Sequence, residues 1–129
     1  TLEGTQTLVL AVTVLTSLKG KDCEEVYTRR PIEQVMALAD IAHRAGAHGL
    51  VCSPKEVKRL RKKYPKMTLV TPGIRSSGVD AGDQKRVATP NEAMENGADH
   101  IVMGRQIFGV DDPVAEVRRV LSEELSASL

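Results

Sequence analysis

The chain has 129 residues, 41% of them hydrophobic and 27% charged, the proportions of one ordinary globular domain and not of a disordered segment. Its 18 basic and 17 acidic side chains leave a formal charge of +1, which removes the electrostatic case for nucleic acid or an anionic membrane as the main partner. Two tyrosines, one phenylalanine and no tryptophan give no stacking platform for single strands.

Cys23 and Cys52 make no disulfide framework, and Cys52 reads as a small core residue in a reducing compartment. No apolar run approaches the roughly 20 residues of a membrane span, and no basic stretch leads into a signal-type core. The expected compartment is the cytoplasm.

Leu8-Val-Leu-Ala-Val-Thr-Val14 is a continuous apolar, β-branched run without alternation, which predicts a strand buried on both faces. Between Pro31 and Ala45, Ile32, Val35, Met36, Ala39 and Ala42 recur at helical spacing, with Pro31 suited to the first turn and Gly46 to the C-terminal cap. Gly49–Cys52 is a short strand, and Ser53-Pro-Lys-Glu56 is a capping box opening a helix to about Lys63. Met67–Val70 is the third strand. A glycine-rich loop follows, and then Thr89-Pro-Asn-Glu92, a second capping box, starts a helix that Gly97 ends. Ile101–Met103 is the fourth strand, and Asp112-Pro113 opens a last helix bearing Val114, Val117, Val120 and Leu121.

Ala45-Gly-Ala-His-Gly-Leu-Val-Cys52 and Asn96-Gly-Ala-Asp-His-Ile-Val-Met103 both run from a helix end through Gly-Ala into a strand, so these two strand–helix units are built alike. Alternating strands and helices call for a parallel α/β sheet with crossover helices. Two architectures fit: an open doubly wound sheet, or part of a (β/α)8 barrel. A complete barrel takes about 250 residues, so barrel material of this length is half a barrel.

The most informative stretch is Thr71-Pro-Gly-Ile-Arg-Ser-Ser-Gly-Val-Asp-Ala-Gly-Asp-Gln-Lys-Arg86, a loop of glycines, arginines and a glutamine after an apolar strand. Glycines let backbone N–H groups approach an anion, and arginine offers a planar fork of donors matched to phosphate oxygens. His100-Ile-Val-Met-Gly-Arg105 repeats the arrangement: a strand, a glycine, an arginine. Barrel enzymes often hold phosphate on the loops after strands seven and eight, the places that the third and fourth strands would take if the chain were the second half of such a barrel. A solvated basic loop is the plainer reading of Arg75, Lys85 and Arg86. Gly104-Arg105 resists it better, because the arginine stands at the strand's mouth.

Thr13, Thr16 and Ser17 end the first strand, where a hydroxyl can meet the edge of an amide-like heterocycle; a turn-forming cluster is the alternative. His43 reads as a helix-surface or interfacial residue, and His48 and His100 precede strands at the opposite end. None has a metal-ligand partner at recognisable spacing.

Taken together, Ala11-Val-Thr-Val-Leu-Thr-Ser17, Val51-Cys-Ser53, Val70-Thr-Pro-Gly-Ile-Arg75, Asp80-Ala-Gly-Asp-Gln-Lys-Arg86 and Ile101-Val-Met-Gly-Arg105 resemble, in order and spacing, the C-terminal half of bacterial orotidine 5'-monophosphate decarboxylases. The resemblance covers nearly the whole chain. It implies a TIM (β/α)8-barrel fold, with residues 1–129 forming a single domain that supplies strands five to eight. It also implies conversion of orotidine 5'-monophosphate to UMP and CO2 without metal or organic cofactor.

By the same resemblance, Thr16 hydrogen-bonds the pyrimidine edge, Pro72 lines the pocket near the carboxylate, and Arg75 reaches the phosphate. Gln84 bridges phosphate and base, and the Gly104 backbone with the Arg105 side chain completes the grip. The family's catalytic Asp-x-Lys-x-x-Asp array is not in this sequence. Asp83-Gln-Lys85 has the first spacing, but Val87 and Ala88 follow and no second aspartate closes it.

No catalytic residue is therefore expected in the chain, which reads as a truncated member, inactive alone. The alternative is a non-catalytic half-barrel that binds nucleoside monophosphate or only self-associates. Either way, the open edges and apolar inner face of a half-barrel predict self-association, as a homodimer with a twofold axis.

Overall fold

The computed structural model describes residues 4–18, 20–79 and 87–125. Its sheet follows from three-residue to five-residue apolar runs, each too short to bend back on itself and each followed by a helix. The strands are β1 (Leu10–Val12), β2 (Gly49–Val51), β3 (Thr68–Pro72) and β4 (His100–Val102). They pair in parallel in the order β1-β2-β3-β4. Helices α1 (Gly20–Tyr27), α2 (Pro31–Arg44), α3 (Pro54–Lys63), α4 (Pro90–Glu95), α5 (Arg105–Phe108) and α6 (Pro113–Arg119) connect and follow them, and α6 runs into a π-helical turn, Val120–Glu124.

The register explains the distribution of apolar side chains. Leu50 pairs with Leu69, and Thr71 with Ile101. On this face Leu50, Cys52, Leu69 and Ile74 are buried against Val35, Ala39, Val57, Leu60 and Ala93 of the helices. The alternate row, Val12–Val51–Val70–His100, with Pro72 beside Val102, points the other way. That face has no covering layer among the described residues: Val12 is 58% and Val102 48% exposed.

The expectation that Leu8–Val14 is buried on both sides is thereby corrected. β1 is shorter, it is an edge strand, and Leu8, Val9, Leu10 and Val12 are all exposed. The missing alternation marked a strand whose second face belongs inside a barrel, and only half of a barrel wall is present.

Helix boundaries follow their chemistry. Pro31, Pro54, Pro90 and Pro113 open α2, α3, α4 and α6, as proline's fixed φ and missing N–H favour. The two Gly-Ala echoes are the same C-terminal device. Gly46 and Gly97 take φ +78 and +100. Around them Gly46 N bonds His43 O and Ala47 N bonds Ala42 O, as Gly97 N bonds Met94 O and Ala98 N bonds Ala93 O.

The Thr89 capping box is complete: Thr89 Oγ1 accepts from Glu92 N at 3.3 Å, and the Glu92 carboxylate accepts from Thr89 N at 2.9 Å. The Ser53 box is not formed. Ser53 and Glu56 are both buried, and the Ser53 hydroxyl supplies a donor that a carboxylate taken out of water needs, while its oxygen accepts no helix-cap bond. Helices α1 and α5 are additional to the sequence-predicted elements.

Candidate functional site

In a parallel sheet the loops leaving the strands' C-terminal ends share one rim. Thr16 follows β1, Cys52 follows β2, Arg75 follows β3, and Gly104-Arg105 follows β4. Thr16 and Pro72 come together in a small pocket of about 60 Å3, lined also by Val12, Val14, Val51 and Cys52. Thr13, the other candidate hydroxyl there, is buried and donates to Val51 O at 2.9 Å, so it serves the sheet. Ser17 is exposed.

The loop after β3 is pinned at both ends. Ile74 and Ala88 form an isolated parallel bridge, and Arg75 N donates to Ala88 O at 3.0 Å. Gln84, with Lys85 and Arg86, lies outside the described residues. Arg75 itself is 7% exposed. Its Nη1 makes a long 3.4 Å contact with Ile74 O, its Nε has no acceptor, and no carboxylate pairs with it among the described residues. A guanidinium taken out of water in this way lacks the anion that ordinarily accompanies it.

Beside it, at the end of neighbouring β4, Arg105 is exposed. A Cβ built on Gly104 would meet no heavy atom within 4 Å, so the backbone there faces open space.

Sequence reasoning missed the polar knot beneath these two arginines. Ser76 and Gln106, the residues after Arg75 and Arg105, are buried and bonded to each other, and Glu116, Arg119 and Glu124 close around them. Hydrogen bonds from Arg119 and then from Gln106 hold the Glu116 carboxyl at about 2, well below its ordinary 4.5. The Arg119 guanidinium is correspondingly raised, first by Glu116. Adjacency to the two arginines was the one available signal, since Ser76, Gln106 and Glu116 are far apart in the chain.

The histidines stand away from this rim. His48 Nδ1 accepts from Val9 N at 3.0 Å, His100 begins β4, and exposed His43 packs its ring 5.1 Å from that of Tyr64. Among the described residues no group of three or more His, Cys, Asp or Glu side chains could hold a metal ion. No helix there is long and apolar enough to cross a membrane.

Comparison with known proteins identifies the family and the fold. The chain is 47% identical over 115 residues to orotidine 5'-phosphate decarboxylase of Actinobacillus pleuropneumoniae serotype 5b (strain L20), covering 88% of this chain and 50% of that protein. It is 46% identical over 118 residues to the same enzyme of Sphingopyxis alaskensis, covering 91% and 53%. The crystal structure of orotidine 5'-phosphate decarboxylase from Lactobacillus acidophilus superposes with a TM-score of 0.75 at 37% identity, over 94% of this chain and 51% of that one. The chain thus spans about half the length of the relatives it matches, and its four-stranded parallel sheet with one helical layer is half of their TIM barrel. With residues 1–120 also matching the family model described as Orotidine 5'-phosphate decarboxylase / HUMPS family, the chain belongs to that family.

Proposed function

We propose that this chain is the nucleotide-anchoring half of an orotidine 5'-phosphate decarboxylase, with β1 to β4 standing as strands five to eight of the complete barrel. The observation that carries the reading is Arg75, a buried guanidinium whose Nε has no acceptor among the described residues, one strand away from the Gly104-Arg105 loop. A phosphate dianion would supply the missing charge and acceptors together.

In this reading Arg75, Arg105 and the Gly104 backbone grip the phosphate of orotidine 5'-monophosphate. Thr16 meets the pyrimidine edge, Pro72 lines the space beside the carboxylate that leaves as CO2, and Gln84 reaches across from the intervening loop. Binding energy from a phosphate remote from the breaking bond can then close the loop and organise the reacting end. The proton donor must come from an Asp-x-Lys-x-x-Asp array, which these 129 residues do not contain. The chain alone binds substrate and product without turnover. Its uncovered apolar face and two free edge strands favour self-association as a twofold dimer.

The test is titration of the purified chain with UMP, followed by NMR, beside a spectroscopic assay of orotidine 5'-monophosphate decarboxylation. The expected result is saturable UMP binding, weakened about tenfold or more in Arg75→Ala and in Arg105→Ala, as loss of a charge-assisted bond implies, with no turnover. Absence of saturable binding would overturn the anchoring role. Turnover by the chain alone would show that it holds a proton donor.

A further inference from the structure

The loops after β3 and β4 each carry one arginine, and nothing in the backbone of a parallel sheet fixes how far apart two such loops stand. Here a side chain does so. Gln106 Oε1 accepts from Ser76 N at 2.9 Å, and Gln106 Nε2 donates to Ser76 Oγ at 2.6 Å. One amide thus holds both the backbone and the side chain of the residue next to Arg75, from the residue next to Arg105.

The second Nε2 hydrogen goes to Glu116 at 2.7 Å, so both amide donors are used. Ser76 Oγ also accepts from Arg119 Nη2 at 2.9 Å and donates to Glu124. Arg119 closes the ring on Glu116 at 2.8 Å and on Glu124 at 2.9 Å. Turning the Gln106 amide over would set its oxygen against the Glu116 carboxylate, so the network admits one orientation. Ser76 and Gln106 are each 8% exposed. A broken bond at either leaves a dry, unpaired polar group, and the clamp is correspondingly rigid.

We propose that Gln106 is a positioning residue for phosphate recognition, its amide lashing the two loops together at the spacing that lets Arg75 and Arg105 engage one phosphate. This rests on the anchoring role proposed above. Without the clamp the arginines keep their charge but must be ordered by the ligand itself, and affinity falls by that cost. α6 and the π-helical turn then support the phosphate site through Glu116, Arg119 and Glu124, which bond Gln106 and Ser76.

The experiment compares UMP titrations of the full 129-residue chain as wild type, Gln106→Leu and Gln106→Glu. Gln106→Glu keeps the acceptor for Ser76 N and loses both donors. Gly97→Ala, at the opposite end of the sheet, serves as a destabilised control. The expected result is UMP affinity about tenfold lower in Gln106→Leu, a loss at least as large in Gln106→Glu, which sets a second carboxylate against Glu116, and unchanged affinity in Gly97→Ala at a comparable fall in melting temperature. Faster hydrogen exchange at the Ser76 amide should appear in Gln106→Leu only.

Wild-type affinity in both Gln106 variants would overturn the positioning role while leaving the anchoring role intact, as would equal losses in Gly97→Ala. No UMP binding by the wild type would overturn the anchoring role, and the positioning role with it. If Gln106→Leu does not fold, the comparison of Gln106→Glu with Gly97→Ala decides.

Discussion

Glu116 shows how a single side chain can report on the whole network under the two arginines. Its carboxyl is depressed from 4.5 to about 2 by Arg119 first and Gln106 second. A group whose folded value lies below its unfolded value contributes stability above the unfolded value and loses it as the pH falls toward the folded one. The stabilisation from Glu116 is therefore intact above about pH 4.5 and lost between there and pH 2. Thermal unfolding of wild type and Glu116→Gln from pH 6 to pH 2.5 checks this: the wild type should melt higher at neutral pH, and the gap should narrow steadily below pH 4.5. A constant gap would mean that the carboxylate's charge contributes nothing.

At the scale of elements, the paired helix ends at Gly46 and Gly97 make a controlled comparison, since both use positive φ to end a helix. A Cβ at Gly46 would meet nothing within 4 Å, whereas one at Gly97 would lie 2.8 Å from Cγ of Arg61. Arg61 is not free to withdraw. Its Nε bonds Gly97 O at 3.0 Å, its Nη1 bonds Pro65 O and Met67 O at 2.9 Å each, and its Nη2 pairs with Asp99, which also accepts from Leu69 N at 2.7 Å. Gly46→Ala should cost about 1 kcal/mol, the left-handed penalty alone. Gly97→Ala should cost roughly 1–3 kcal/mol more, because it also displaces a side chain that ties α3 to the segments leading into β3 and β4. Chemical denaturation of the two variants measures the difference, and equal costs would show that Arg61 yields freely.

Over the whole molecule the governing fact is a sheet that the described residues cover on one face only. Beside edge strand β4, Ile101, Met103, Ile107, Phe108, Val117 and Leu121 line an apolar groove of about 310 Å3, and Phe108 is 79% exposed. In a closed barrel such surfaces are interior or lie between neighbouring units. In the chain by itself both this groove and the Val12–Val102 face meet water, and exposed apolar surface of this kind drives association. Light scattering should give an apparent mass above the 14.0 kDa monomer at micromolar concentrations. Charging the uncovered row with Val12→Glu and Val102→Glu together should bring the mass toward the monomer. A wild type that stays monomeric across that range would count against the twofold dimer.

Local chemistry alone determined most of the elements, because the signals that end helices act within a few residues. Proline at the first helical position, glycine just past the last, and the Thr89 box with its glutamate all act where the sequence places them. The motifs Thr71-Pro-Gly-Ile-Arg75 and Ile101-Val-Met-Gly-Arg105 likewise carried the family, since they are contiguous. Tertiary structure decided what depends on partners distant in the chain. It left the second face of β1 uncovered although the strand is apolar throughout, and it turned Ser53 from a helix cap into a donor to buried Glu56. It also joined Ser76 to Gln106, 30 positions further along the chain. An apolar run states that a side chain avoids water, and a glutamine that it can give and accept hydrogen bonds. Only the packing of one strand–helix unit against the next determines what meets it.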